Sequence, residues 1–257
     1  MACGVKPSGA DDLAMVATAD GVAVTAAGVF TSNLMTAPPV LVCRDHLSAT
    51  GGQAAAVVLN SGNANAATGE SGRSNAETMC ALTAESVGCA ADEVLVCSTG
   101  WIGYPLPMDA IAPAISVVAG AMNDEGGPSA ARAMMTTDTV PKTTVITGTT
   151  TGGATFTVGG VAKGAAMLEP NMATMLAVLT TDAEVDAGTA TELLRAAVGV
   201  SFNCLTVDGA ESTNDTVLLL ASGAAGPVDA ETLGLALSDA CRDLAIQMAD
   251  DAEGSTK

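Results

Sequence analysis

GVAKGAAMLEPNMATMLAVLTTD, residues 160–182, joins a lysine, a Pro–Asn turn, an Ala–Thr step and an apolar run in one segment. Met175 to Leu179 is apolar and bounded by polar residues, which predicts a buried strand. Pro170 and Asn171 make a turn just before it, and Thr174 stands at the mouth of the strand. Two readings of Thr174 are open. A β-branched residue fits a strand on its own account. A turn that delivers a threonine to the start of a buried strand also suits an amino-terminal threonine nucleophile, whose hydroxyl attacks and whose own freed amine acts as base. That chemistry requires a prior cut between Ala173 and Thr174. Lys163, one of four lysines in the chain, lies upstream in the same segment.

Working outward, the strand is flanked by short strands and helices in alternation, the pattern of an α/β domain. Leu13 to Ala17 predicts a strand. Residues 22–33 read as a strand with a break at the glycine. A buried strand ends at Leu59 and feeds NSGNANAATG, which is either a tight turn using Asn and Gly for positive φ or a loop lining a site. Ser74 and Glu77 form a capping box that opens a helix ending at Gly88. Glu93 to Cys97 predicts a strand running into Ser98, Thr99 and Gly100. Such a turn can be ordinary, or it can aim backbone N–H groups and a hydroxyl at one spot, as an oxyanion hole requires.

A helix follows from Pro107 to about Met122, with Pro113 kinking or restarting it. A short one runs from Ser129 to Met135, and residues 143–160 read as a β-hairpin. After the threonine strand come a helix over 186–200, strands over Cys204 to Val207 and Thr216 to Ala221, and a last helix capped by Asp229. The acids of DGAESTND, between the two strands, read as solvated turn residues rather than a metal cluster.

Four blocks now stand out: CSTGWIGYPLPMD (97–109), MMTTDTVPK (134–142), AKGAAMLEPNMATML (162–176) and FNCLTVDGAESTNDT (202–216). Together, and in this order, they resemble the ornithine acetyltransferase family of arginine biosynthesis, the bifunctional glutamate N-acetyltransferases. The resemblance implies an α/β fold, a layered α/β/β/α sandwich shared with self-cleaving peptidase relatives. It implies acetyl transfer from N2-acetylornithine to glutamate through an acetyl-threonine, after self-cleavage at Ala173–Thr174. Acetyl-CoA would be a second acetyl donor in a bifunctional member, and no other cofactor and no metal is implied.

By the same resemblance Thr174 is the nucleophile, and Thr99 and Gly100 stabilise the oxyanion. Thr136, Lys163, Thr174 and Glu253 contact substrate, with Lys163 facing a carboxylate and Glu253 an ammonium. Residues 1–257 would be the catalytic domain and the start of the β chain, shorter than the family at both ends and without its C-terminal domain. The α and β chains of one precursor would assemble as αβ units into a homo-oligomer. A self-processing aminopeptidase of the same fold, and an inactive fragment of the transferase, are the alternatives.

Composition narrows the rest. The 257 residues carry a net charge of −19 from 28 acids and 9 bases, which disfavours phosphate neutralisation and hence nucleic acid. Such acidity suits a halophile's cytoplasmic protein, where salt screens self-repulsion; an acidic mesophile protein fits as well. Seven cysteines in no CxxC spacing and a single histidine, His46, make no zinc pattern. The cysteines read as buried small hydrophobes in a reducing compartment. His46 falls in the polar stretch RDHLSATGG, which leaves a Cys–His pair or a Ser–His–Asp triad without support. No apolar run of about 18 residues suggests a membrane span.

Overall fold

The computed structural model describes residues 1–150, 152–166 and 175–254. Nine strands are formed among them: β1 Leu13–Ala17, β2 Val24–Phe30, β3 Gln53–Ala54, β4 Ala56–Asn63, β5 Val94–Trp101, β6 Lys142–Thr149, β7 Thr155–Lys163, β8 Leu176–Glu184 and β9 Thr216–Pro227. The helices are α1 Pro38–Ala49, α2 Gly69–Val87, α3 Met108–Gly120, α4 Gly127–Met134, α5 Ala187–Gly199 and α6 Ala230–Asp250.

The strands build two sheets. One has the order β1-β4-β5, and the other β3-β2-β9-β8-β7-β6. Each contains a single parallel pair, β4 with β5 and β8 with β9, and the other neighbours run antiparallel. Leu176, Ala177, Val178 and Leu179 are all buried, so β8 is covered on both faces. This explains a continuous apolar run in place of an alternating one.

Alternate residues of β8 and β9 serve two cores. Leu176, Val178, Leu218 and Leu220 join Leu13, Met15, Val57 and Val96 of the small sheet. Ala177, Leu179, Val217 and Leu219 face the other way, onto Leu194, Leu237, Leu244 and Met248 of α5 and α6. With Met79 and Ile115 of α2 and α3 on the outer face of the small sheet, the layers run α/β/β/α as expected. The cores are aliphatic; burying one such leucine stabilises the fold by roughly 1.5–3 kcal/mol.

Several local expectations are corrected. Gly28 does not break β2, because the Phe30 ring lies where a Gly28 Cβ would be and covers the gap. β4 continues past Leu59 to Asn63, since β5 supplies a ladder partner as far as Trp101. The helix expected at Ser74 starts at Gly69 instead, and Glu77 pairs with Arg73 rather than closing a capping box. Its predicted stop is right: Gly88 sits at φ 89° with its N–H on the Ala84 carbonyl. Pro113 is accommodated inside an unbroken α3, in its second turn.

Cys204 to Val207 is no strand but the end of a 3-10 turn and a loop. His46 belongs to α1, not to a loop, and its Nδ1 lies 2.7 Å from the Val94 carbonyl oxygen. Cys43, Cys80, Cys97 and Cys241 are buried as expected, but Cys204 is exposed. Among the described residues no helix is long and apolar enough to cross a membrane.

Candidate active site

The C-terminal ends of β4, β5 and β7 meet the N-terminal ends of β8 and β9 at one edge of the sandwich. The parallel ladder of β4 and β5 ends irregularly there, with a register shift at Asn63. Gly100 closes it at φ 132°, and a Cβ on Gly100 would sit 2.4 Å from the Gly62 carbonyl carbon. Only glycine satisfies both the backbone angle and the space. Asn63 donates to the carbonyls of Tyr104 and Pro105, and so holds the following loop against the strand ends. Trp101 and Tyr104, with ring centroids 5.7 Å apart, form an exposed rim.

This edge encloses a cavity of about 580 Å³. Thr99, Gly100, Thr136, Lys163 and Glu253, drawn from across the whole chain, all line it, together with Lys6, Asn63 and Tyr104. Thr174 and Ala173 lie outside the described residues. Met175, the next residue, stands just before β8 and is buried.

Lys163 is 2% exposed and is therefore no surface lysine. Its Nζ lies 3.4 Å from Thr99 Oγ1 and 3.9 Å from Asp138 Oδ2. Burial pulls its pKa down from 10.5; Asp138 and Asp215 oppose that, while Lys142 and Lys6 add to it.

Asp138 is the hub of this region. Its Oδ2 accepts the Thr136 N–H at 3.0 Å, and its Oδ1 accepts the Gly164 N–H at 2.7 Å and the Lys142 ammonium at 2.8 Å. Burial alone would raise its pKa; Lys163, Lys142 and the two N–H groups outweigh burial and hold it below 3.8. One carboxylate thus fixes the backbone beside two cavity residues, Thr136 and Lys163. Lys142, fully buried, reaches on to Asp251 at 2.6 Å, just past the end of α6. The Thr139 hydroxyl and N–H also donate to Asp251. Burial would raise the Asp251 pKa, but Lys142 and Thr139 lower it to about 2.

Glu253 is exposed at the cavity mouth. Its N–H donates to the Ala165 carbonyl at 2.7 Å, tying the end of the described chain to the residues after Lys163.

The sequence reading missed Asp138, Lys142 and Asp251. The i, i+4 spacing of Asp138 and Lys142 in MTTDTVPK was a signal, but nothing local tied them to Asp251. It also misread Asp215. This acid of DGAESTND is fully buried rather than solvated, since the segment folds inward against both sheets. Asp208 and Glu211 are exposed, as expected. No group of three or more His, Cys, Asp or Glu among the described residues is arranged to hold a metal ion.

Known proteins resemble this chain. A curated relative, the arginine biosynthesis bifunctional protein ArgJ of Streptomyces coelicolor, is 47% identical over 255 residues, covering 99% of this chain and 64% of that protein. A crystal structure of the Bacillus halodurans arginine biosynthesis bifunctional protein matches with a TM-score of 0.61 and 40% identity, over 67% of this chain and 88% of that one. The Mycobacterium tuberculosis ornithine acetyltransferase complexed with ornithine matches with a TM-score of 0.58 and 39% identity, over 66% and 88%. The chain therefore spans about 64% of the length of its curated relative. The model of the ArgJ family matches residues 1–257, and the chain belongs to that family.

Proposed function

We propose that this chain carries the acetyl-transfer site of a glutamate N-acetyltransferase, which moves acetyl from N2-acetylornithine to glutamate. The observation that carries the reading is the convergence of Thr99, Gly100, Thr136, Lys163 and Glu253 on one cavity at the edge where β8 begins. That the Mycobacterium tuberculosis relative was crystallised with ornithine supports the substrate class.

In this reading the chain is first cut between Ala173 and Thr174. The Thr174 oxygen then bonds to the acetyl carbon and its proton passes to the freed Thr174 amine. The amide C–N bond breaks, and the ornithine nitrogen leaves with that proton. Glutamate's amine attacks the acetyl-threonine in turn, releasing N-acetylglutamate and restoring the threonine. Thr99 and Gly100 hold the oxyanion in both halves. Both substrates carry carboxylate and ammonium groups, so a site serving them in turn needs fixed charges of both signs. Lys163 supplies the cation and Glu253 the anion.

Two measurements on the full gene product test this. Intact mass should give two chains, the second beginning at Thr174, and Thr174→Ala should stay whole. Initial rates with acetylornithine and glutamate varied together should give parallel double-reciprocal lines. An active, uncut wild-type chain, or release of amino acids from peptides in place of acetyl transfer, overturns the reading.

A further inference from the structure

Among the described residues, the charged ones that line the cavity are Lys6, Lys163 and Glu253. Two of the chain's four lysines thus meet at one edge of a protein with a net charge of −19. The acetyl transfer proposed above uses Lys163 and Glu253 and leaves Lys6 without a role. The Lys6 ammonium donates to the carbonyl oxygens of Asp11 at 2.6 Å and Ala133 at 3.5 Å. Neither acceptor carries a charge, and among the described residues no carboxylate lies within 4 Å of this ammonium. A lysine has three N–H donors, so one is left for a ligand.

The backbone that carries Lys6 is fixed by one acid. Asp12 is fully buried and accepts four consecutive N–H groups, those of Cys3 at 2.6 Å, Gly4 at 3.1 Å, Val5 at 2.7 Å and Lys6 at 2.9 Å. Burial alone would raise its pKa, and these bonds hold it below 3.8. The Lys6 stem lies against Gly62 of β4, where a Cβ would stand 3.0 Å from Lys6 Cγ. Burial lowers the Lys6 pKa from 10.5, and Asp12, Asp11 and Asp138 oppose that. Lys6 in turn is one of the charges acting on Lys163, so the two ammoniums share one field.

The two substrates give this second cation its use. Acetylornithine brings one carboxylate and one ammonium. Glutamate attacks through an uncharged amine, so at that moment it brings two carboxylates. The two molecules differ at the end of the side chain, where one carries an ammonium and the other a carboxylate. Glu253 suits the first and repels the second.

We propose that Lys6 is a specificity-determining residue that binds the side-chain carboxylate of glutamate in the second half of the reaction. This rests on the transferase reading. Lys163 then holds the carboxylate that both substrates share, and Lys6 offsets Glu253 when the end group changes sign. The ammonium acts as a point charge, and the choice of acceptor is a difference between two affinities.

Kinetics of the full gene product test the assignment. In a ping-pong reaction kcat/KM for each substrate reports its own half. Lys6→Met should lower kcat/KM for glutamate at least tenfold more than kcat/KM for acetylornithine. Its preference for glutamate over glutamine as acetyl acceptor should shrink at least tenfold, since glutamine has the same length and no side-chain charge. Lys6→Arg keeps the cation and should recover part of both. Each quantity is a ratio within one sample, so any unfolded protein cancels. An equal fall for the two substrates, or an unmoved preference for glutamate over glutamine, overturns the assignment.

Calorimetric binding separates that failure from failure of the transferase reading. Glutamate should bind the wild type at least tenfold more tightly than Lys6→Met, and glutamine should bind both alike. A wild type with no acetyl transfer sinks the transferase reading. Weakened glutamate binding in Lys6→Met would then still uphold Lys6 as a carboxylate-binding residue of the cavity, and equal glutamate binding would overturn it.

Discussion

Lys163 Nζ lies 3.4 Å from Thr99 Oγ1, and the two residues belong to different sheets. The contact crosses the seam of the sandwich at the cavity edge, and among the described residues the carboxylate within 4 Å of this buried ammonium is Asp138, at 3.9 Å. An ammonium held this loosely stays available to a substrate carboxylate, and burial strengthens its field.

Replacing that charge separates function from stability. Because its folded pKa lies below 10.5, the unfolded chain holds this proton more tightly than the folded one. Stability therefore rises with pH from the folded pKa toward 10.5, and the charge is a burden at neutral pH. Lys163→Met should lower kcat/KM by at least tenfold, about 1.4 kcal/mol, for both substrates. Its melting temperature should stay within a few degrees of the wild type. Steady-state kinetics beside a calorimetric scan decides the matter; parallel loss of both would make Lys163 structural.

Thr99 tests the oxyanion assignment. The hydroxyl is buried and faces the cavity beside Gly100. Thr99→Ala should reduce kcat by roughly 10²–10³ while moving KM far less, the range for removal of one oxyanion donor. It should also slow cleavage at Ala173–Thr174, which passes through a similar tetrahedral species. Thr99→Ser keeps the hydroxyl and should retain most of the rate. Unchanged kcat in Thr99→Ala would return this residue to an ordinary strand end.

Several elements were legible in the sequence where periodicity or the Asp229 cap marked them, though the capping box read at Ser74 did not mark a helix start. Leu13–Ala17 and the helix after Asp229 stand where the pattern put them, as does the hairpin of β6 and β7. The misses have physical causes. β4 and β5 run past their apolar residues because ladder hydrogen bonds extend a strand through Asn, Ser and Thr once a partner is present. Gly28 stays in β2 because a ring two residues away fills its missing side chain. Both depend on neighbours that are distant or folded back, and local propensity does not register them.

The same holds at the site. Lys163, Thr136 and Glu253 were found through family blocks, and the structure adds that all three line one cavity with Thr99 and Gly100. Asp215 was passed over because an acid in a Gly/Ser/Thr/Asn loop looks solvated until the loop is seen to fold inward, and Asp138, Lys142 and Asp251 because their pairing spans more than a hundred residues.

The Asp138–Lys142–Asp251 chain should behave as a buried ion network. Lys142 is fully buried between its two acids, so removing an acid leaves uncompensated charge. Asp138→Ala should destabilise by about 3–5 kcal/mol, the range for breaking a buried pair, and it should disturb Thr136 and Lys163 together. Asp251 is held at about 2 against an ordinary 3.8. A depressed acid contributes stability that is present above about pH 4 and lost as pH falls through 2. Urea melts at pH 7 and pH 3 should show Asp251→Asn closing much of its gap to the wild type at the lower pH. A gap independent of pH would refute the ionic account.

Asp215 predicts the opposite slope. Its folded pKa of about 7 lies above the ordinary 3.8, so between these values the folded chain binds a proton that the unfolded chain has released. By linkage the unfolding free energy then falls as pH rises from about 4 to 7, and levels off above that. The full difference corresponds to an upper bound on the order of 4 kcal/mol, at 1.36 kcal/mol per pKa unit. Asp215→Asn cannot ionise and keeps an oxygen for the Met175 N–H. It should therefore match the wild type near pH 4.5 and exceed it by a few kcal/mol near pH 8. Guanidinium titrations of the wild type and Asp215→Asn at the two pH values measure this directly. An equal difference at both pH values would refute the raised Asp215 pKa.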